Sequence, residues 1–353
     1  MLLLAAVPDV PAPLLLVDAL HGLTFVLHTA AMNVMVALAF VLATARRDET
    51  DLQRTAAGLL PAAFSLTITL GVAPLLFLQL VHGERFYASS IQMAWPWIGV
   101  LFVLMAAYYA AYAAAGRLET GRPAARALRV LPLAGLLVFS FVLAANVSLS
   151  EHPEVLAAQP APGWNLALGA TNAPLRWAHE ILGAVAVGSL ALFVLGAMRR
   201  RTEAAGAAAL ERRGLAILLG ATAVVVVLGI VQVLARPADV GGGRAGASLG
   251  VGVLLGLALP LLAWRHARRP GRRSLGLVLG VALLLLVAKT VLRMAIRARR
   301  LEAAGGVEPP AVHTDVGPIV LFGVGLVALV ICLAWLVRVL GRAGAATPAP
   351  EAR

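Results

Sequence analysis

Apolar residues along this chain fall into nine long runs, separated by short charged or proline-rich connections. A helix needs about 20 apolar residues to cross a bilayer. The runs at 20–44, 56–81, 92–115, 127–148, 174–198, 214–235, 247–264, 275–297 and 316–340 meet or approach that length. None shows the alternation of polar and apolar positions expected of a membrane barrel strand. Interior glycines and prolines do not count against these runs, because helices in lipid tolerate both. The pattern predicts an all-α integral membrane protein, a bundle of about nine transmembrane helices.

Composition supports this prediction, since 61% of the 353 residues are hydrophobic and 13% are charged, a balance foreign to a water-soluble domain. Basic residues then set the orientation. Arg46, Arg54, Arg117, Arg122, Arg199, Arg200, Arg265, Arg268 and Arg338 sit in one set of connections, and far fewer, such as Arg85 and Arg236, sit in the other. By the positive-inside bias the N-terminus lies outside and the C-terminus in the cytoplasm. The net charge of +12 is accounted for by these loops, so nucleic acid is not an expected partner.

Residues 1–16 have no basic leading segment and contain Pro8, Pro11 and Pro13, so they read as surface chain rather than a cleaved signal. The domain organisation is an outer lead-in at 1–19, a helical membrane domain at 20–340 and a cytoplasmic tail at 341–353. Two outer stretches, 148–174 and 303–317, read as loops. The single cysteine, Cys332, lies in the last run, which leaves no Cys-x-x-Cys-His for covalent haem attachment.

Six of the seven histidines, all but His266, fall at the outer ends of these runs. Ionisable groups in or near lipid are expensive and mark cofactors, ion paths or proton relays. His28 lies roughly 12 Å deep along the first run, at 1.5 Å per residue. His21 is seven residues earlier, near the same helical face. His179 starts the fifth run in Arg176-Trp177-Ala178-His179-Glu180 and is followed by Gly183, Ala184, Ala186 and Gly188. Small residues admit a flat macrocycle or another helix close to the backbone. That makes His179 a candidate haem ligand, with Arg176 one turn away to pair with a propionate. Lys289 and Arg293, four residues apart, share one side of the eighth run, where Lys289 needs a carboxylate, a propionate or water. His82, Glu84, Glu151, His152, Glu154, His313 and Asp315 read as solvated end and loop residues. His266 reads as part of a basic cytoplasmic loop.

The run Leu23-Thr24-x-x-x-His28 resembles the start of subunit I of cytochrome bd quinol oxidases. Leu70-Gly71-Val72-Ala73 followed by Gly83 and Phe86-Tyr87, then Ala145-Asn146 followed by Pro153, occur in that family's order, and His179 is similar in position to its low-spin haem ligand. The resemblance extends over residues 20–235 and is looser beyond. It implies a bacterial cytoplasmic membrane location, non-covalent b haem with iron ligated by His28 and His179, and cofactor contacts from Arg176, Lys289, Arg293, His21 and His82. It also implies quinone or quinol as a reactant, and a second membrane subunit as a partner alongside membrane lipid.

The departures from the family narrow that reading. Only residues 236–248 replace its long quinol-oxidising loop. Gln79 and Phe102 stand at or near positions of its carboxylates, and Lys289 stands where it has a glutamate. Its methionine ligand is not evident at 244–246. Oxygen reduction needs an open haem position and timed protons, whereas electron transfer needs only a held haem in a dry surround. The expected function is therefore b-haem electron transfer between the quinone pool and a cytochrome c or other redox partner on the outer side. A divergent oxygen-reducing quinol oxidase and a haem-free transporter or assembly protein with a His/Lys ion path are the alternatives.

Overall fold

The computed structural model describes residues 10–46, 48–117, 123–158, 163–166, 168, 172–200, 206–305 and 311–345. Its regular elements are helices: α1 (Leu14–Thr44), α2 (Thr50–Gln92), α3 (Ala94–Arg117), α4 (Pro123–Ser150), α5 (Pro153–Ala158), α6 (Ala173–Gly188), α7 (Leu190–Arg199), α8 (Ala207–Ala235), α9 (Pro237–Val240), α10 (Gly243–Arg268), α11 (Arg272–Ala303) and α12 (Val316–Ala345). Among the described residues eight helical segments are long and apolar enough to span a membrane, α6 and α7 acting as one interrupted segment. The ninth expected run falls on α12, whose described apolar part, Val316–Cys332, is shorter than the other eight. Large apolar side chains such as Phe102, Met105, Leu254, Leu283 and Leu321 are exposed on the outer surfaces of their helices. Such a surface is stable only in lipid, and the protein is membrane-embedded.

The chain divides into two compact units, Leu20–Glu308 and the pairing of Met1–Ala19 with Pro309–Arg353. In the smaller unit the Val10 N–H donates to the Ala311 carbonyl at 2.7 Å, and the His313 N–H donates back to Val10 at 3.0 Å. The Gly317 N–H donates to Asp315 Oδ1 at 3.0 Å at the start of α12. Asp315 therefore satisfies a donor that the first turn of a helix leaves unpaired.

In the larger unit α1 is the most buried span. Its Met35, Leu38, Val41 and Leu42 form one core with Leu60 and Phe64 of α2, Ala107 and Ala111 of α3, and Ala184 of α6. A second core joins Phe193 of α7, Leu218 of α8, Leu259 and Ala263 of α10, and Val278 of α11. Small residues permit this packing. A Cβ on Gly188 would overlap the Asn33 carbonyl, so α6 meets the α1 backbone directly. The helix breaks at the next residue, Ser189, whose buried hydroxyl donates to the Ala186 carbonyl.

Two expectations change here. The second run does not end at His82: the helix continues to Gln92 but is kinked there, His82 standing at φ −128° and ψ 29°. His266 is not in a solvated loop either. It is buried at the end of α10, packed edge-on to Phe193 and in a 2.7 Å hydrogen bond with the Ser274 hydroxyl.

Candidate functional site

The C-terminal ends of α2, α4, α8 and α11 meet the N-terminal end of α6 at one end of the larger unit, and an ion cluster forms there. Glu151, just past α4 and 3% exposed, is its centre. Its carboxylate accepts from Arg176 Nη1 at 2.7 Å, Arg297 Nε at 3.2 Å and Arg300 Nη1 at 2.6 Å. Glu180, one turn beyond Arg176 on α6, accepts from Arg176 Nε at 3.3 Å and Arg293 Nη1 at 3.1 Å. Lys289 is an electrostatic neighbour of Glu180. Arg300 reaches Asp239 in α9 at 2.6 Å, and Arg299 donates to the Gly242 carbonyl at 3.1 Å.

Burial and these guanidinium groups act on Glu151 in opposite directions. Desolvation pushes its carboxyl up, but Arg176, Arg297 and Arg300 together hold it well below the usual carboxylate range. His152 is buried beside it. Its Nδ1 hydrogen-bonds the Ser148 carbonyl at 2.7 Å, so Nδ1 carries the proton, and Nε2 accepts from Arg236 Nη1 at 3.0 Å. Desolvation and the charges of Arg300 and Arg236 push its protonation below the ordinary histidine range.

His21 on α1 stacks on Phe77 of α2 with ring centroids 6.5 Å apart, close enough to Arg297 and Arg293 to sense their charge. His82, at the kink of α2, lies in the fields of Arg297, His21, Glu151 and Arg85. A small cavity beside it is lined by Arg85, Glu151 and Arg297. The structure thus brings Arg176, Lys289, Arg293, His21 and His82 to one end of the unit. Arg293 does not run out to water as a snorkelling side chain would; it pairs with Glu180 and lies 5.2 Å above the Phe25 ring.

The two deeper histidines each pack against a glycine of a neighbouring helix. His28 Nδ1 hydrogen-bonds the Thr67 carbonyl at 3.1 Å, and its ring fills the space where a Cβ on Gly71 would stand. His179 lies against Gly229 of α8, and its Nδ1 is buried without a hydrogen-bond partner. Gly229 leaves room beside that ring. In His28 Nδ1 spends its proton on the main chain, so Nε2 keeps a lone pair. Metal-ligating histidines are oriented in this way.

Fit to a b haem follows from these donors. Haem iron takes one or two protein ligands, a role for which His28 and His179 are the candidates. The buried and half-buried cations Arg85, Arg176, Lys289, Arg293, Arg297 and Arg300 outnumber the carboxylates Glu151, Glu180 and Asp239, which favours an added anionic group such as a propionate. Among the described residues no group of three or more His, Cys, Asp or Glu side chains is placed to hold a bare metal ion.

Glu151 and His152 are corrections to the sequence reading, which placed both in a solvated loop. Glu180, Arg297 and Arg300 carried no assignment there. A signal existed: Lys289, Arg293, Arg297 and Arg300 follow one another at helical spacing on α11, a cationic face that requires acidic partners in lipid. His313 belongs to the smaller unit.

Comparison with protein-family models and with curated proteins finds no match for this chain.

Proposed function

We propose that this protein is a membrane-embedded b-haem electron-transfer subunit, similar to subunit I of cytochrome bd quinol oxidases. It passes electrons between the quinone pool and a cytochrome c or other redox partner on the outer side, at the end carrying the ion cluster. The observation that carries the reading is a pair of imidazoles inside the bundle: His28, whose Nδ1 is tied to the Thr67 carbonyl so that Nε2 keeps its lone pair, and His179, whose buried Nδ1 has no hydrogen-bond partner. These two residues would hold the iron, and a bound haem would supply a one-electron couple. Thr67 fixes the orientation of the His28 ring, while Gly71 and Gly229 keep space beside the two imidazoles. Arg176, Lys289 and Arg293 balance anionic charge at the site. The apolar cores on either side keep water away.

The test is the optical spectrum of protein expressed with sufficient haem and purified in detergent. Dithionite-reduced b-type bands are expected. Their absence would sink the proposal. His179→Ala is expected to lose the low-spin signal while the protein still inserts in the membrane; an unchanged spectrum would remove His179 as a ligand. Oxygen consumption driven by a quinol would move the function to an oxygen-reducing oxidase.

A haem-free ion path is the second reading, favoured by one specific observation. Arg176, the expected propionate partner, already pairs with Glu151 and Glu180. Proton or ion flux through haem-free proteoliposomes, abolished in Lys289→Met, would establish it.

A further inference from the structure

At the opposite end of the larger unit a cavity of about 370 Å³ opens between α7, α8, α10 and α11. Arg200, Glu211, His266, Pro270, Gly271 and Arg272 line it. Two of its polar walls are deeply buried, Glu211 at 2% and His266 at 3% exposure. Glu211 forms an ion pair with Arg200, which is itself partly exposed. A carboxylate offers about four lone-pair sites, so this one guanidinium leaves acceptor capacity at the cavity wall. Arg272 stands exposed at the start of α11. The cavity therefore presents two arginines, suited to a phosphate, beside a buried carboxylate suited to a hydroxyl donor.

Depth in the membrane follows from a neighbouring pair. Trp264, one turn from the end of α10, is 39% exposed and carries the Arg268 guanidinium 4.0 Å above its ring. Exposed tryptophan and arginine at a helix end mark the headgroup level of a bilayer. Arg199, Arg265, Arg269 and Arg273 add positive charge on the same helix ends. Basic pockets between membrane helices at that level are receptors for anionic lipid headgroups.

We propose that this cavity binds the headgroup of an anionic phospholipid bearing free hydroxyls, of the phosphatidylglycerol type. Arg272 and Arg200 take the phosphate, and Glu211 accepts from a headgroup hydroxyl. Glu211 also fixes Arg200, and the short connection through Pro270 and Gly271 between α10 and α11 places Arg272. The site is independent of any haem.

Full-length protein is reconstituted into nanodiscs of phosphatidylcholine mixed in turn with phosphatidylglycerol or with phosphatidic acid, and retained lipid is read by native mass spectrometry. Selective retention of phosphatidylglycerol over both other lipids is expected. Arg272→Gln, at an exposed position that does not support the core, is expected to weaken that retention about tenfold, the loss of one charge-assisted contact. Arg269→Gln, outside the cavity wall, should leave it unchanged. Equal retention of phosphatidylcholine, or no effect of both Arg272→Gln and Arg200→Gln, overturns the site. Equal retention of phosphatidic acid overturns the role given to Glu211. Displacement of phosphatidylglycerol by inorganic phosphate at matched concentration makes the cavity a soluble-anion site and overturns the lipid.

Discussion

Glu151 ties three helices together through three guanidinium groups, and its removal leaves those groups facing one another. Glu151→Gln is expected to destabilise the protein by about 3–5 kcal/mol, the usual consequence of taking one partner from a buried ion pair. A large fall in the thermal midpoint in detergent checks this, with Glu154→Gln as the exposed comparison. The same residues set an acid limit. His152 has its protonation depressed in the folded protein, so its stabilisation is present above the unfolded value of about 6.5 and declines as pH falls below it. Glu151 is also depressed, so its contribution is full above about 4.3 and is lost as pH falls towards its folded value. Thermal midpoints measured against pH should fall in two stages, and His152→Gln should reduce the first. At this scale the sequence showed where costly side chains stood in lipid, including His28, His179 and Lys289. It did not show that Glu151 was buried, because a carboxylate one residue beyond a helix looks the same whether it meets water or three arginines from distant helices.

Helices were the most legible level. Long apolar runs make crossing segments by length alone, and the limits of α3 and of the joined α6 and α7 segment, Ala173–Arg199, fall within about two residues of the expected ones, the ordinary uncertainty of helix limits. The extension of α2 was hidden because polar residues continue a helix beyond its apolar part. Helix interruptions were hidden for another reason. The kink at His82 and the interruption at Ser189 have no proline within four residues to mark them in the sequence. Close packing between helices is equally silent in the sequence, as Gly188 illustrates. A methyl group there has no room against the α1 backbone, so Gly188→Ala is expected to destabilise by about 1–3 kcal/mol through overpacking. Gly183, with open space around it, is the paired control: Gly183→Ala should leave the midpoint of thermal aggregation unchanged.

For the whole molecule the arginine pattern makes an orientation claim that fusion reporters can check. A C-terminal fluorescent protein should fold and glow in the cytoplasm, while a C-terminal alkaline phosphatase should stay inactive. The opposite result would invert the orientation and place the ion cluster on the cytoplasmic side. The apolar exterior was legible from composition. The gathering of Arg176, Arg297 and Arg300 on one carboxylate was not, since it joins residues far apart in the chain.

That distance has a consequence in time. During synthesis Glu151 and then Arg176 leave the ribosome well before α11 exists, so the carboxylate must wait with one of its three arginines while α8 and α10 are made. The nascent bundle is thus held unfinished until its penultimate long helix arrives. A chain stopped after Arg269 should insert but remain sensitive to membrane quality-control proteases, and co-expression of the missing C-terminal piece should restore its lifetime.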